Sequence, residues 1–149
     1  MSRDNPEEHS ERDLSESEKS LLNEQFNTVR EEVTKEDVAY VLSKADSTAE
    51  RLKESTQGWI QLLGKQITLL WELLSDWWND RYEVPWKVVA AITAALLYMV
   101  NPWDLIPDVL PIVGWVDDAM VMKLCYNLIK SDLREYARQR DLNPSEYGL

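Results

Sequence analysis

Apolar positions recur along this chain at helical spacing, and the width of the apolar face changes from segment to segment. Leu22, Phe26, Val29 and Val33 stand four, three and four residues apart behind the S-x-x-E pattern of Ser15 to Glu18, which predicts a helix entered through a capping box. Thr34 to Asp37 gives a second start signal, and Val38, Val41, Leu42, Ala45, Ala49 and Leu52 line another narrow stripe flanked by charge. From Gly58 the pattern broadens. Trp59, Ile60, Leu62, Leu63, Ile67, Leu69, Leu70, Trp71, Leu73, Leu74, Trp77 and Trp78 leave only Gln61, Lys65, Gln66, Glu72, Ser75 and Asp76 as clear polar interruptions. A helix that apolar is either central to a bundle or in contact with lipid.

Pro85 suits the first position of the next helix. Val88 to Val100 has only Thr93 as a polar break. Counted from Val84 this run has 17 residues, which at about 1.5 Å per residue reaches roughly 25 Å, the lower limit for crossing a hydrocarbon core. Val121, Leu124, Cys125, Leu128, Ile129, Leu133 and Tyr136 then mark one face of a last helix, with Lys130, Arg134, Arg138 and Arg140 toward the end that the helix dipole makes favourable for cations. Asn143-Pro144 stops it. No run alternates strictly enough to argue for strands. The expected fold is all-α, a bundle or hairpin of about five helices with an irregular element before the last.

That irregular element, Asn101 to Asp118, holds three prolines, Gly114, Trp103, Trp115 and four aspartates among many large apolar side chains. Connections between helices usually take two to eight residues. A stretch this long and this apolar is a built element. Pro102, Pro107 and Pro111 forbid a continuous helix, and Gly114 offers a place for close packing or positive φ.

Asp104, Asp108, Asp117 and Asp118 are the candidates for site chemistry. Each also has a structural role open to it. Asn101 reads as an N-cap with Pro102 at the first helical position and Asp104 at the third, Pro107-Asp108 can open another turn, and Asp117 suits the N-cap of the last helix with Asp118 beside it. Alternatively the carboxylates converge on a hard divalent cation, Mg²⁺ or Ca²⁺. No glutamate, histidine or glycine-rich ligand loop accompanies them, so capping outweighs metal binding and no other cofactor is expected. A third possibility, at membrane depth, is an ion or proton path.

Aromatic and charged positions bear on the membrane question. Trp77, Trp78, Tyr82, Trp86, Trp103 and Trp115 are candidates for the headgroup level, where an indole sits half apolar and half wet. Between Lys87 and Lys123 there is no Lys or Arg. By the positive-inside tendency both chain ends are then cytoplasmic and the irregular element lies at the far tip of an apolar hairpin. A full second crossing is hard to build, because Ala119 to Ile129 is short and contains Lys123. Partial insertion fits better.

The net charge of -11 excludes more than it suggests. An acidic surface without a basic stripe repels phosphate backbones, so no nucleic-acid partner is expected. Membrane lipid remains a partner only through apolar contact. Cys125 is the single cysteine and reads as a small hydrophobe. His9, the single histidine, lies in a charged stretch expected to be disordered, and no Ser/His/Asp set or phosphate loop supports an enzyme.

The pattern D-L-I-P-D-x-x-P-x-x-G-x-x-D-D, carried by Asp104, Ile106, Pro107, Asp108, Pro111, Gly114, Asp117 and Asp118, follows Val84-Pro85-Trp86-Lys87 and an apolar helix. With Pro102 it resembles the YkvA-like family, a domain of unknown function found in bacteria and other lineages. The resemblance covers roughly Leu70 to Arg138 and implies a small membrane-associated helical protein. Asn101 and Trp103 depart from the serine and aliphatic residue associated with those places.

The expected organisation is an acidic tail over residues 1–13, an amphipathic helical region over 14–56, a YkvA-like helical domain with an apolar hairpin over 57–141 and a short tail over 142–149. The function expected is non-enzymatic, a membrane-associated scaffold or interaction module. Two alternatives stand beside it: a soluble bundle with an Asp-rich divalent-metal site, and a cytoplasmic oligomerisation or adaptor protein that meets a partner or a second copy through residues 15–56.

Overall fold

A computed structural model of the chain describes residues 16–100 and 115–149, with backbone alone over 115–118. Five α-helices and one 3-10 turn account for the regular structure, and there is no strand among the described residues. The helices are α1 (Glu16–Glu32), α2 (Lys35–Lys53), α3 (Gly58–Trp78), α4 (Trp86–Val100) and α5 (Trp115–Gln139), with the 3-10 turn at Pro144–Tyr147.

The start of α2 follows the sequence signal closely. Thr34 Oγ1 accepts from the Asp37 amide at 3.3 Å, and the Thr34 amide donates to Asp37 Oδ2 at 2.9 Å. Two amides that would otherwise lack partners are satisfied in this reciprocal way. Ser15, expected to cap α1, lies outside the described residues.

Both α3 and α5 end in the same device. Asp80 and Asp141 take positive φ of 59° and 58°. The Arg81 amide donates to the Asp76 carbonyl at 2.7 Å and that of Leu142 to Ala137 at 2.8 Å, bonds that close a Schellman-type end. Glycine is the usual residue at such a position, and Asp is among the few others that tolerate it. With no glycine there, the sequence marks these ends only through Pro85 and Asn143-Pro144, a few residues further on.

The bundle is organised around α4. Every side chain from Val88 to Met99 is buried, because α1, α2, α3 and α5 all pack against it. Cys125 Sγ lies 3.6 Å from the Ala91 carbonyl, while Val121 borders the same small crevice as Ala94 and Tyr98, so α4 and α5 run antiparallel. Where α2 crosses α3, a Cβ on Gly64 would come within 2.9 Å of the Ala49 carbonyl and 2.8 Å of Lys53 Cγ. Only glycine allows that approach without a shift. Nearby, Trp71 Nε1 donates to the Leu42 carbonyl at 2.8 Å.

One expectation changes here. The run Val88 to Val100 does not serve as a lipid-crossing segment: α4 has 15 residues, about 22 Å at 1.5 Å per residue against a core of about 30 Å. Among the described residues no helix is long and apolar enough to cross a membrane. Its apolar circumference is covered by protein instead. The stripes of α1 and α2 are likewise filled from within the chain, Leu22, Phe26, Val38, Val41, Ala45, Ala49 and Leu52 all joining the one core cluster.

Residues 142–149, expected as a tail, fold back onto the bundle. Gln66 Nε2 and the Tyr126 hydroxyl donate to the Tyr147 carbonyl at 3.3 and 2.9 Å, and Leu142, Tyr147 and Leu149 are partly buried against the core.

Candidate functional site

Most of the residues singled out in the sequence cannot be placed. Asn101, Pro102, Trp103, Asp104, Pro107, Asp108, Pro111 and Gly114 lie outside the described residues. Asp117 and Asp118 are the third and fourth residues of α5, which begins at Trp115. Asp117 is therefore inside the first turn and not at the N-cap. The Trp115 side chain is also outside what is described. Among the described residues no group of three or more His, Cys, Asp or Glu is arranged to hold a metal ion.

The structure does bring together the tryptophans at the other end of α4. Trp77 and Trp78 end α3 and Trp86 opens α4, so a turn of seven residues sets all three indoles at one end of the bundle. The Trp77 ring centroid lies 6.5 Å from that of Trp78 and 5.9 Å from that of Trp86, with planes tilted by 59° and 58°. Trp77 is half-buried, whereas Trp78 and Trp86 are each 43% exposed. Folding normally hides side chains of this size, so two indoles left this open, each next to Trp77, are informative. Beside Trp77 and Trp78 runs a groove of about 710 Å³ that is also lined by Tyr82, Asp80, Glu83 and Lys35. Tyr82 is not free at a headgroup level: it is half-buried, and its ring meets Tyr136 edge-on at 4.9 Å.

What holds this end together was not anticipated. Asp76 sits on the buried side of α3, 8% exposed. Its Oδ1 accepts from Arg81 Nε at 3.0 Å and its Oδ2 from the Tyr136 hydroxyl at 2.5 Å, and Arg140 Nη2 forms an ion pair with Oδ2 at 2.6 Å. One carboxylate thereby ties the end of α3 to the turn after it and to the end of α5. The Arg140 guanidinium also lies 5.4 Å from the centre of the Tyr136 ring, a cation–π distance. A charge taken this far from water needs such partners.

Titration follows the same geometry. Burial first, then the hydrogen bond to Asp76, push the Tyr136 hydroxyl well above the ordinary tyrosine value. Burial, and then the neighbouring Asp76 charge, raise the Glu72 carboxyl above 4.5. On the far side of the core, burial drives the Cys125 thiol up to about 12, so at neutral pH it is an inert thiol that packs as a hydrophobe.

The sequence contained a signal for Asp76, one of two carboxylates, with Glu72, inside the apolar run Trp71 to Trp78, and with an arginine five residues on. Its partners Tyr136 and Arg140 are 60 and 64 positions away, and nothing local links them to it.

Comparison with known proteins gives the setting. A family described as protein of unknown function (DUF1232) matches residues 88–124. The uncharacterized membrane protein YkvA of Bacillus subtilis (strain 168) is 42% identical over 77 residues, which cover 51% of this chain and 73% of that protein. No solved structure matches the chain significantly.

Proposed function

The chain belongs to the YkvA-like family of proteins of unknown function, and from that premise we propose that it is a non-enzymatic, membrane-associated helical module, a scaffold that rests on the bilayer by its tryptophan end. The exposed pair Trp78 and Trp86, backed by Trp77, carries the reading. Indoles favour the headgroup level, and Lys87 beside Trp86 can keep its ammonium in water while its stem covers apolar surface. The Asp76 hub supports the same reading by holding the turn that presents these rings. Its carboxylate already accepts two hydrogen bonds and is ion-paired with Arg140 as well, an arrangement that suits a structural role better than proton transfer. A relative named a membrane protein fits this setting.

Contact through one end of a bundle leaves both chain ends on the same side of the bilayer. Flotation of the full chain with lipid vesicles tests the reading. The wild type should float with the vesicles, and Trp78→Ala with Trp86→Ala should stay at the bottom of the gradient while keeping its helical circular dichroism. Equal flotation of the double variant, or none by the wild type, contradicts it.

A further inference from the structure

The groove beside the tryptophans has a chemistry of its own. We propose that it receives the ammonium of a zwitterionic lipid headgroup, an inference that rests on the membrane reading above and names the lipid class. The groove's walls are Trp77, Trp78 and Tyr82, and its carboxylates are Asp80 and Glu83, with Lys35 as the single cation. Indole and phenol faces present negative charge to whatever lies over them, and a quaternary or primary ammonium is the ligand group that such faces hold best. Asp80 and Glu83 form no ion pair among the described residues, so their charge is available to a cation from outside. At about 710 Å³ the groove is within the ordinary size of a small-ligand site.

The charge of the whole chain points the same way. A net charge of -11 opposes approach to an anionic bilayer. On a zwitterionic bilayer the ammonium is the outermost part of each headgroup, so an acidic groove meets its complement first.

The test measures tryptophan fluorescence of the full chain against three probes: phosphatidylcholine vesicles, phosphatidylglycerol vesicles and free phosphocholine. Asp80→Asn with Glu83→Gln is the diagnostic variant, since Asn tolerates the positive φ and the fold is retained. The expected result is tighter binding to phosphatidylcholine than to phosphatidylglycerol, weakened about fivefold or more in the variant. Equal or tighter binding to phosphatidylglycerol, or an unchanged variant, overturns the ammonium site while leaving the membrane reading in place. Binding of free phosphocholine without vesicle binding overturns the lipid as its source. Binding to none of the three overturns the site and the membrane reading together.

Discussion

Helix α4 and the tryptophan end both carry large apolar side chains, and they meet opposite fates. Four helices cover α4 until nothing from Val88 to Met99 is exposed. At the end of α3 and the start of α4, Trp78 and Trp86 remain 43% exposed. The difference does not come from hydrophobicity, which is at least as high in α4. It comes from position: α4 runs through the middle of the bundle, while the indoles stand at its end, where among the described residues no further helix covers them. An apolar run long enough to raise the question of a membrane can thus be core, and a shorter aromatic cluster can be the surface that meets lipid.

The comparison can be broken first at α4. Leu96→Ala opens a cavity in a fully buried site and should cost about 3 kcal/mol, read as a fall in the denaturation midpoint. A loss below about 1 kcal/mol would mean that α4 is not packed as described. Asp76→Ala probes what holds the other region. It leaves two guanidinium groups and the Tyr136 hydroxyl without their acceptor, and should lower stability by about 2 kcal/mol, moderated because both arginines are partly exposed. Vesicle binding should weaken with it, because the turn carrying Arg81 leads into Trp86.

A smaller effect, opposite in sign, is expected at Thr93. Its hydroxyl is buried with no hydrogen-bond partner among the described residues, so Thr93→Val should raise stability by about 0.5–1 kcal/mol. A drop in melting temperature would show that the hydroxyl has a partner. The smallest effect is at Glu72. Its raised carboxyl means the fold favours the protonated form, so the stability that form contributes is present below pH 4.5 and is lost as pH rises through the raised value. Glu72→Gln should therefore raise the melting temperature slightly at pH 7, and the gap should close below pH 4.5. A gap that widens in acid would reverse the assignment.

Local features of the fold were legible from the residues. The Thr34/Asp37 box, the stripes of α1 and α2, the interruption near Pro85 and the buried thiol of Cys125 all follow from spacing and short-range chemistry. What was not legible depends on distant contacts. Nothing in Val88 to Val100 says whether lipid or protein surrounds it, since both reward the same side chains. Asp76 finds Tyr136 and Arg140 only once α3 and α5 lie side by side. Helix ends at Asp80 and Asp141 lack the glycine that usually announces them. Of the site candidates, Trp77, Trp78 and Trp86 came together as one cluster, while Tyr82 turned inward onto Tyr136.

Fractionation of cells that express the full chain tests the central claim most directly, with a high-salt wash followed by alkaline carbonate. The account predicts retention through salt, because the contact is aromatic and apolar, and release by carbonate, because α4 stays inside the protein. Retention through carbonate would contradict it by placing an apolar helix in the bilayer, and release by salt alone would contradict it by showing that the tryptophan end is not what holds the protein there.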